Sequence, residues 1–334
     1  MGVAPVAVVT GGAGFIGSHM VDLLLGRGFH VRVIDNLVGG REANLAHHAG
    51  RRGLEVDRRD VRALAPDDAL FRDVRYVFHF AGIGDIVPSL EQPGAYMSAN
   101  VQGTVHVLEA ARHSGVQKLV YAASSSCYGL AAVPTREDHP IAPRYPYALS
   151  KYLGELAALH WHGVYQLPVN SIRIFNAYGT RSRTSGAYGA VFGVFLRQKL
   201  AGRPLTVVGD GTQRRDFVYV TDVAEGFLRA AETEQVGEVY NLGGGDPQSV
   251  NRLVELLGGE VVHLPKRPAE PDCTWADIGK IRRELGWEPR VCFEEGVARV
   301  LAEIDYWRDA PLWDADSIAR ATKMWFDLLA REAG

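Results

Sequence analysis

Cysteine is scarce. The 334 residues contain three, Cys127, Cys273 and Cys292, far apart and without a CxxC pair, which excludes a disulfide framework and a cysteine-built zinc site. No apolar run reaches the roughly 18 residues of a membrane-spanning helix, and the opening MGVAPVAVVTGG has no basic stretch before an apolar one. Neither a signal peptide nor a membrane partner is expected, and the cysteine usage fits a reducing cytoplasm. An excess of one charge is missing too. With 36 basic and 39 acidic residues the formal net charge is −3, which leaves no field to hold a nucleic acid. Internal repeats and low-complexity tracts are absent, which removes solenoid architectures.

Glycine is plentiful, at 37 residues of 334 against the roughly 7% that is usual. Apolar residues make up 47% and charged residues 22%, as in soluble globular chains. At about 150 residues per domain the length corresponds to two domains or one large one.

Short apolar runs alternate with segments of helical periodicity. Val6–Val9, Val31–Ile34, Leu54–Val56, Val74–Phe80, Lys118–Ala122 and Val169–Ile174 read as buried strands, with helices over Phe15–Arg27, near 94–113 and near 147–165. This βαβ rhythm predicts an α/β fold with a doubly wound parallel sheet covered on both faces. The rhythm breaks after residue 175. A polar loop, Arg181–Tyr188, a helix to about Ala201 and strand-like pieces at Leu205–Val208 and Phe217–Val220 come next, then short helices and the Pro-rich stretch Leu264–Asp272. A smaller, irregular second domain is expected, interleaved with the first.

Thr10-Gly-Gly-Ala-Gly-Phe-Ile-Gly17 stands where the first strand hands over to a helix. Glycines at this spacing permit the tight turn and a close approach of backbone to a pyrophosphate, whose charge then meets the helix N-terminus. Asp35 ends the second strand, placed to accept hydrogen bonds from ribose hydroxyls and to repel a 2′-phosphate. The next arginine is Arg41, so the pattern favours NAD over NADP.

Tyr147-Ala-Leu-Ser-Lys151 puts a phenol and an ammonium one turn apart on a helix. At about 100° per residue the two share one face, while Leu149, Leu153 and Leu156 mark the opposite face as the packing one. A nearby ammonium is expected to bring the phenol down from about 10 and make it a general base; a solvated surface pair is the plainer alternative. Ser124-Ser125-Ser126 follows the strand Lys118–Ala122, at the carboxyl end where open α/β sheets bind ligands; alone it reads equally well as a turn. Cys127 has no neighbouring base and is expected to pack.

Taken together, TGGAGFIGSH, the Ser124–Gly129 segment, Tyr147xxxLys151, Arg173-Ile-Phe-Asn176-Ala-Tyr178-Gly179 and Gly209-Asp-Gly-Thr-Gln-Arg-Arg215-Asp216-Phe-Val-Tyr-Val resemble the extended short-chain dehydrogenase/reductases. More narrowly, the chain is similar to NAD-dependent nucleotide-sugar epimerases of the UDP-hexose 4-epimerase type, from residue 6 to about 308. The resemblance implies a Rossmann-type domain over 1–174, to which segments around 217–242 return, and a nucleotide-sugar-binding domain over 175–216 and 243–334. It implies NAD held by Gly11, Gly14, Phe15, Ile16, Gly17, Asp35 and Asn36, with Asp60 and Val61 near the adenine. Phe80, Ala81, Gly82 and Asn100 would line the cofactor, together with Tyr147 and Lys151. Ser124, Tyr147 and Lys151 match the catalytic triad. Ser125, Ser126, Asn176 and Val208 would face the sugar nucleotide, Arg215 and Arg267 would hold its diphosphate, and Asp277 would lie near the nucleoside. No metal is implied. Without the resemblance, Arg267 would read as a solvated loop charge.

Related 4,6-dehydratases carry Asp and Glu after the catalytic hydroxyl, and UDP-glucuronate decarboxylases carry Glu where Ser126 stands. Their absence here leaves C4 epimerisation of a UDP-hexose as the simplest competent reaction. Thr274 matches a position that limits room around C2, and Gly186–Val191 resembles epimerases that accept N-acetylhexosamines. The helices near 94–113 and 147–165, with Val101, Val105 and Leu108, match a pair that forms a homodimer interface in the family. Departures are Gly84-Asp85, Arg214 and the tail Asp309–Gly334, which extends past the shared pattern. A non-catalytic dinucleotide-binding sensor would use the same fold; the intact Ser124, Tyr147 and Lys151 argue for an enzyme.

Overall fold

Every apolar run read as a strand is one in the computed structural model, which describes residues 4–182 and 190–330, although the run at Leu54–Val56 forms a half-exposed edge strand. β1 (Val6–Thr10) leads through the glycine turn into α1 (Phe15–Gly26), followed by β2 (His30–Ile34), β3 (Leu54–Asp57) and β4 (Val74–His79). The helix expected near 94–113 is segmented into α2 (Ile86–Glu91), α3 (Pro93–Met97), a wide turn over Ser98–Gln102 and α4 (Gly103–Ser114). Pro93 opens α3 and cannot continue a preceding helix, since it lacks the amide proton. β5 (Lys118–Ser124), α5 (Pro146–Tyr165) and β6 (Val169–Ile174) complete the first stretch.

Next come β7 (Asn176–Tyr178), α6 (Val191–Leu200), β8 (Leu205–Val208), β9 (Arg214–Arg215), β10 (Phe217–Tyr219), α7 (Val220–Glu232) and β11 (Val239–Leu242). β12 (Gln248–Ser249), α8 (Val250–Leu257), β13 (Val261–Leu264), α9 (Gly279–Leu285), α10 (Phe293–Ala302) and α11 (Ala315–Leu329) end the chain. The main sheet has seven parallel strands in the order β11-β6-β5-β4-β1-β2-β3. The order reverses direction between β1 and β4, a switch point that opens a crevice at the strands' carboxyl ends. β11 joins the sheet beside β6, whereas β10 pairs with β7 in a separate two-stranded ribbon, as β13 does with β8.

Apolar clusters fill both faces of the sheet, one including Val9, Val33 and Phe227 and the other Val8, Leu108 and Leu119. A third, with Phe192, Phe217, Phe293 and Trp307, forms the core of the remaining elements. Cys127 is buried, and burial pushes its thiol up to about 12, consistent with a packing role.

Candidate active site

A cleft of about 990 Å³ runs along the carboxyl ends of the strands, from Asp35 and Asp60 at one end past the glycine turn to Ser124, Tyr147 and Phe192 at the other. The turn requires glycine for steric reasons. Gly11 has φ +70° and a Cβ there would lie 2.8 Å from the Ala81 nitrogen, while a Cβ on Gly17 would collide with the Gly11 carbonyl. Gly14 precedes α1, whose first turn carries no acidic side chain, so its exposed amides present a bare positive end.

Asp35 is buried, and burial raises its pKa; the Leu37 and Ala13 amides, donating at 2.8 and 2.9 Å, oppose that shift. A Cβ on Gly40 would lie 2.7 Å from the same carboxylate, so the loop after β2 closes around it only with glycine. Arg41 is turned away, its guanidinium 5.5 Å from the Tyr306 ring centroid. Arg59 and Arg62 line this end, but Arg59 is bonded to Asp57 and Asp68 and Arg62 to Asp60. Asn36 also donates to Asp60 at 2.8 Å. A dinucleotide fits this arm: a cradle without side chains for the pyrophosphate, a carboxylate for ribose hydroxyls and, among the described residues, no unneutralised arginine for a 2′-phosphate.

At the other end, Ser124 terminates β5 and accepts a hydrogen bond from the Ser126 amide at 3.2 Å, with Ser125 and Ser126 also on the cleft wall. α5 enters with Tyr147 and Lys151 on the cleft side. Gly154 lets this helix approach β5 closely, and the Tyr121 hydroxyl donates to the Lys151 carbonyl at 3.1 Å. The Ser124 and Tyr147 side chains are neighbours on the cleft wall, and Ser124 is the group that favours ionisation of the phenol.

Two expectations for this helix do not hold. Burial raises the Tyr147 pKa above its usual 10; Ser124 opposes that, Asp85 and Cys127 reinforce it, and Lys151 is not among the groups that act on the phenol. The Lys151 ammonium lies 4.6 Å from the Tyr121 ring centroid, and burial pulls it down to about 8. The leucine face is also not the packing face. Leu149 and Leu156 are exposed, and the buried residues are Ala148, Ser150, Lys151, Gly154, Glu155 and Ala158. Small side chains allow the close approach to β5, and Glu155 is accepted in the interior because Arg173 pairs with it at 2.6 Å.

Gly11, Gly14, Phe15, Ile16, Gly17, Asp35, Asn36, Asp60, Val61, Phe80, Ala81, Gly82, Ser124, Ser125, Ser126, Tyr147, Lys151 and Asn176 all line the cleft. Asn100 does not: its amide accepts from the Ile83 nitrogen and donates to the Ile83 carbonyl and Ser150, fixing the Gly82–Ile83 loop from behind. Val208, Arg215, Arg267, Thr274 and Asp277 also stand off its surface. Val208 ends β8, its carbonyl bonded by Gln213. Thr274 donates to Asn176 Oδ1 at 2.8 Å, so it acts through Asn176 and does not itself bound the sugar space. Asp277 accepts from the Gly279 amide at the start of α9, where the turn uses its carboxylate. Arg215 pairs with Glu270 at 2.7 Å and Arg267 with the same carboxylate at 3.7 Å. The expectation drawn from Gly186–Val191 rests on residues 186–189, which lie outside the described residues.

Several residues were not anticipated. Tyr96 donates to the Gly84 and Asp85 carbonyls and meets the Tyr147 ring edge-on at 6.2 Å, setting one wall. Asp85 has φ +72°, which only a fixed turn would hold in a non-glycine residue. Ala310, Pro311 and Trp313 line the cleft from the tail. The prolyl-tyrosyl step before Ala148 marked Tyr147 but not Tyr145, which is pushed up to about 12 by burial, with Ser126 opposing the shift. Outside the cleft, Asp22 accepts from His47 and His48 at 2.8 and 2.7 Å and also pairs with Arg181.

The family model of the NAD dependent epimerase/dehydratase family matches residues 7–243. The chain is 35% identical over 308 residues to a UDP-glucose 4-epimerase of Mycolicibacterium smegmatis, covering 88% of this chain and 96% of that one. Among solved structures it is similar to a UDP-N-acetylglucosamine 4-epimerase from Methanobrevibacter ruminantium in complex with UDP-N-acetylmuramic acid, at TM-score 0.85, 30% identity, and 91% and 98% coverage. It is also similar to a UDP-glucuronic acid 4-epimerase from Bacillus cereus in complex with UDP-glucuronic acid and NAD, at TM-score 0.84, 31% identity, and 90% and 99% coverage.

Proposed function

The chain belongs to the NAD-dependent epimerase/dehydratase family, and we propose that its own reaction is inversion of C4 in a UDP-hexose, with NAD retained between turnovers. The observation that carries this reading is the Ser124–Tyr147 hydroxyl pair at the junction of the two arms, with serines at 125 and 126 where other chemistries of the family need an acid and a base. Bound NAD supplies reversible hydride acceptance. Gly11, Gly14, Gly17 and Asp35 hold it, and Arg41, Arg59 and Arg62, all engaged elsewhere, leave no partner for a 2′-phosphate.

Tyr147 is the base for the sugar 4-hydroxyl and returns the proton to the same oxygen. Ser124 donates to that oxygen and fixes the distance to the phenol. Because burial holds the phenol neutral, Tyr147 must lose its proton before it accepts one. Lys151, one turn along the helix and still mostly charged near pH 7 with a pKa of about 8, lines the same cleft and would hold the nicotinamide ribose. Asn176, oriented by Thr274, contacts the sugar. Arg215 and Arg267 hold the diphosphate, which competes for them with Glu270. The sugar is thus tethered through its nucleotide and free to turn.

The protein is a cytoplasmic homodimer in this reading. Leu149 and Leu156 on α5 are exposed, and Leu153 borders a shallow surface hollow with Met97 and Val101. Such an open apolar stripe on neighbouring helices suits a symmetric partner.

The test is incubation of purified protein with UDP-glucose, UDP-galactose and UDP-N-acetylglucosamine, without added NAD, followed by chromatography. Interconversion at C4 by wild type, lowered at least about a hundredfold in Tyr147→Phe, is expected. A released 4-keto product, or no turnover of any of the three, would sink the proposal.

A further inference from the structure

α11 is part of the tail that the shared motifs do not reach, and it is tied both to a wall of the cleft and to the turn that carries Arg267. Its start is fixed at the rim: Arg197 and Gln198 of α6 donate to the Ala310 and Trp313 carbonyls at 3.0 and 2.8 Å, and Ala310, Pro311 and Trp313 line the cleft. Asp314 and Ser317 form a reciprocal cap that sets the helix going. Its apolar face, Ile318, Trp325 and Leu329, is buried in one cluster with Ile86, Val87 and Leu90 of α2, the helix whose Pro88 and Glu91 form the cleft's near wall.

Trp325 makes the connection to that turn. Its indole nitrogen donates to the Pro268 carbonyl at 2.8 Å, its ring lies 6.0 Å from that of Tyr145, and the Arg267 guanidinium stands 5.9 Å from the indole. Glu270, in the same turn, joins Arg267 to Arg215, and Tyr145 is the N-cap of α5, which carries Tyr147. One side chain from the tail therefore touches the arginine turn and the tyrosine two residues before Tyr147.

We propose that Trp325 is a positioning residue for the nucleotide's diphosphate: α11 bridges α2 and the Pro268 turn, and Trp325 holds Arg267 in position to grip a nucleoside diphosphate and slows its departure. This rests on the reading of Arg215 and Arg267 as the diphosphate site. A guanidinium held within cation–π reach of an indole, here 5.9 Å from its centroid, is pre-aimed and loses less freedom when it binds phosphate.

UDP is the probe, in calorimetric titrations and stopped-flow displacement with the full-length protein, which do not depend on turnover. Trp325→Ala is expected to weaken UDP about tenfold, the size of one sheltered cation–π contact, mainly through faster dissociation. A chain ending after Asp314 should behave alike, Trp325→Phe should fall between, and Met324→Ala, on the exposed face, should match wild type. Hydrogen exchange of residues 318–329 should slow when UDP saturates wild type. UDP affinity and dissociation unchanged in a folded Trp325→Ala protein overturn the proposal, even if the shortened chain does not fold. So does exchange in α11 that ignores UDP. If wild type binds none of UDP, dTDP, GDP and CDP, the diphosphate reading itself fails and takes this inference with it; if wild type binds UDP and Trp325→Ala binds it equally, only this inference falls.

Discussion

The Thr274 hydroxyl donates to Asn176 Oδ1 at 2.8 Å while accepting from the Asp216 amide at 3.2 Å. Both groups on Thr274 are thereby used, and the orientation of the Asn176 amide is set: its oxygen points to Thr274, so its NH₂ is the end that addresses the cleft. Thr274→Val keeps the volume and removes the donor. The expected loss is about 1 kcal/mol, seen as a roughly fivefold rise in KM for the nucleotide sugar with kcat little changed. A kcat loss at unchanged KM would assign Asn176 to the reacting atoms.

Lys151 is a buried cation whose charge the fold disfavours. Its folded pKa, about 8, lies below the ordinary 10.5, so the unfolded chain binds more protons between those values and stability gained from this group rises with pH across that window. Below pH 8 the cost of the buried charge is fully present. Lys151→Met should therefore raise the melting temperature at pH 7, by about 1 to 3 kcal/mol in stability, while abolishing turnover. Calorimetry at pH 7 and pH 10 should show the gap between variant and wild type narrowing at the higher pH.

Arg173 and Glu155 form an ion pair in the interior, at 2.6 Å, with side-chain exposures of 7% and 1%. Replacing Glu155 with Gln leaves Arg173 buried and charged. A destabilisation of about 3 kcal/mol is expected, read as a lowered urea midpoint with unchanged slope. Glu155 also favours the charged form of Lys151, so the variant should show a lower Lys151 pKa by nuclear magnetic resonance. The double change Glu155→Gln, Arg173→Met should recover part of the stability, because no unpaired charge then remains.

The glycine turn admits no methyl group at Gly17, since the added Cβ would run into the Gly11 carbonyl oxygen. Gly17→Ala should purify without bound dinucleotide, measured by absorbance of the supernatant after acid precipitation. Gly26→Ala, where a Cβ meets nothing within 4 Å, should retain it.

Legibility in the sequence followed the locality of each signal. The glycine turn, Asp35 and Ser124 are coupled to strand ends by a few residues of chain, and all reach the cleft. Spacing also put Tyr147 and Lys151 on one face, but gave neither the depth of that face nor what surrounds it. The Tyr147 pKa therefore moves up, and the leucines expected to pack are open. Arg267, Thr274 and Asp277 illustrate the other limit. They arrive from 120 to 130 residues beyond Tyr147, in a loop whose tie to Asn176 through Thr274 no periodicity encodes.

The sequence by itself determined six of the seven parallel strands and the dinucleotide turn, because strand periodicity and glycine conformation act over a few neighbouring residues. Only the tertiary structure decided which charges are paired, which face of α5 is covered, and that the tail's Trp325 sits against the turn carrying Arg267. Those facts depend on desolvation and on contacts between segments far apart in the chain, where the free energy of a side chain is set by what folds against it.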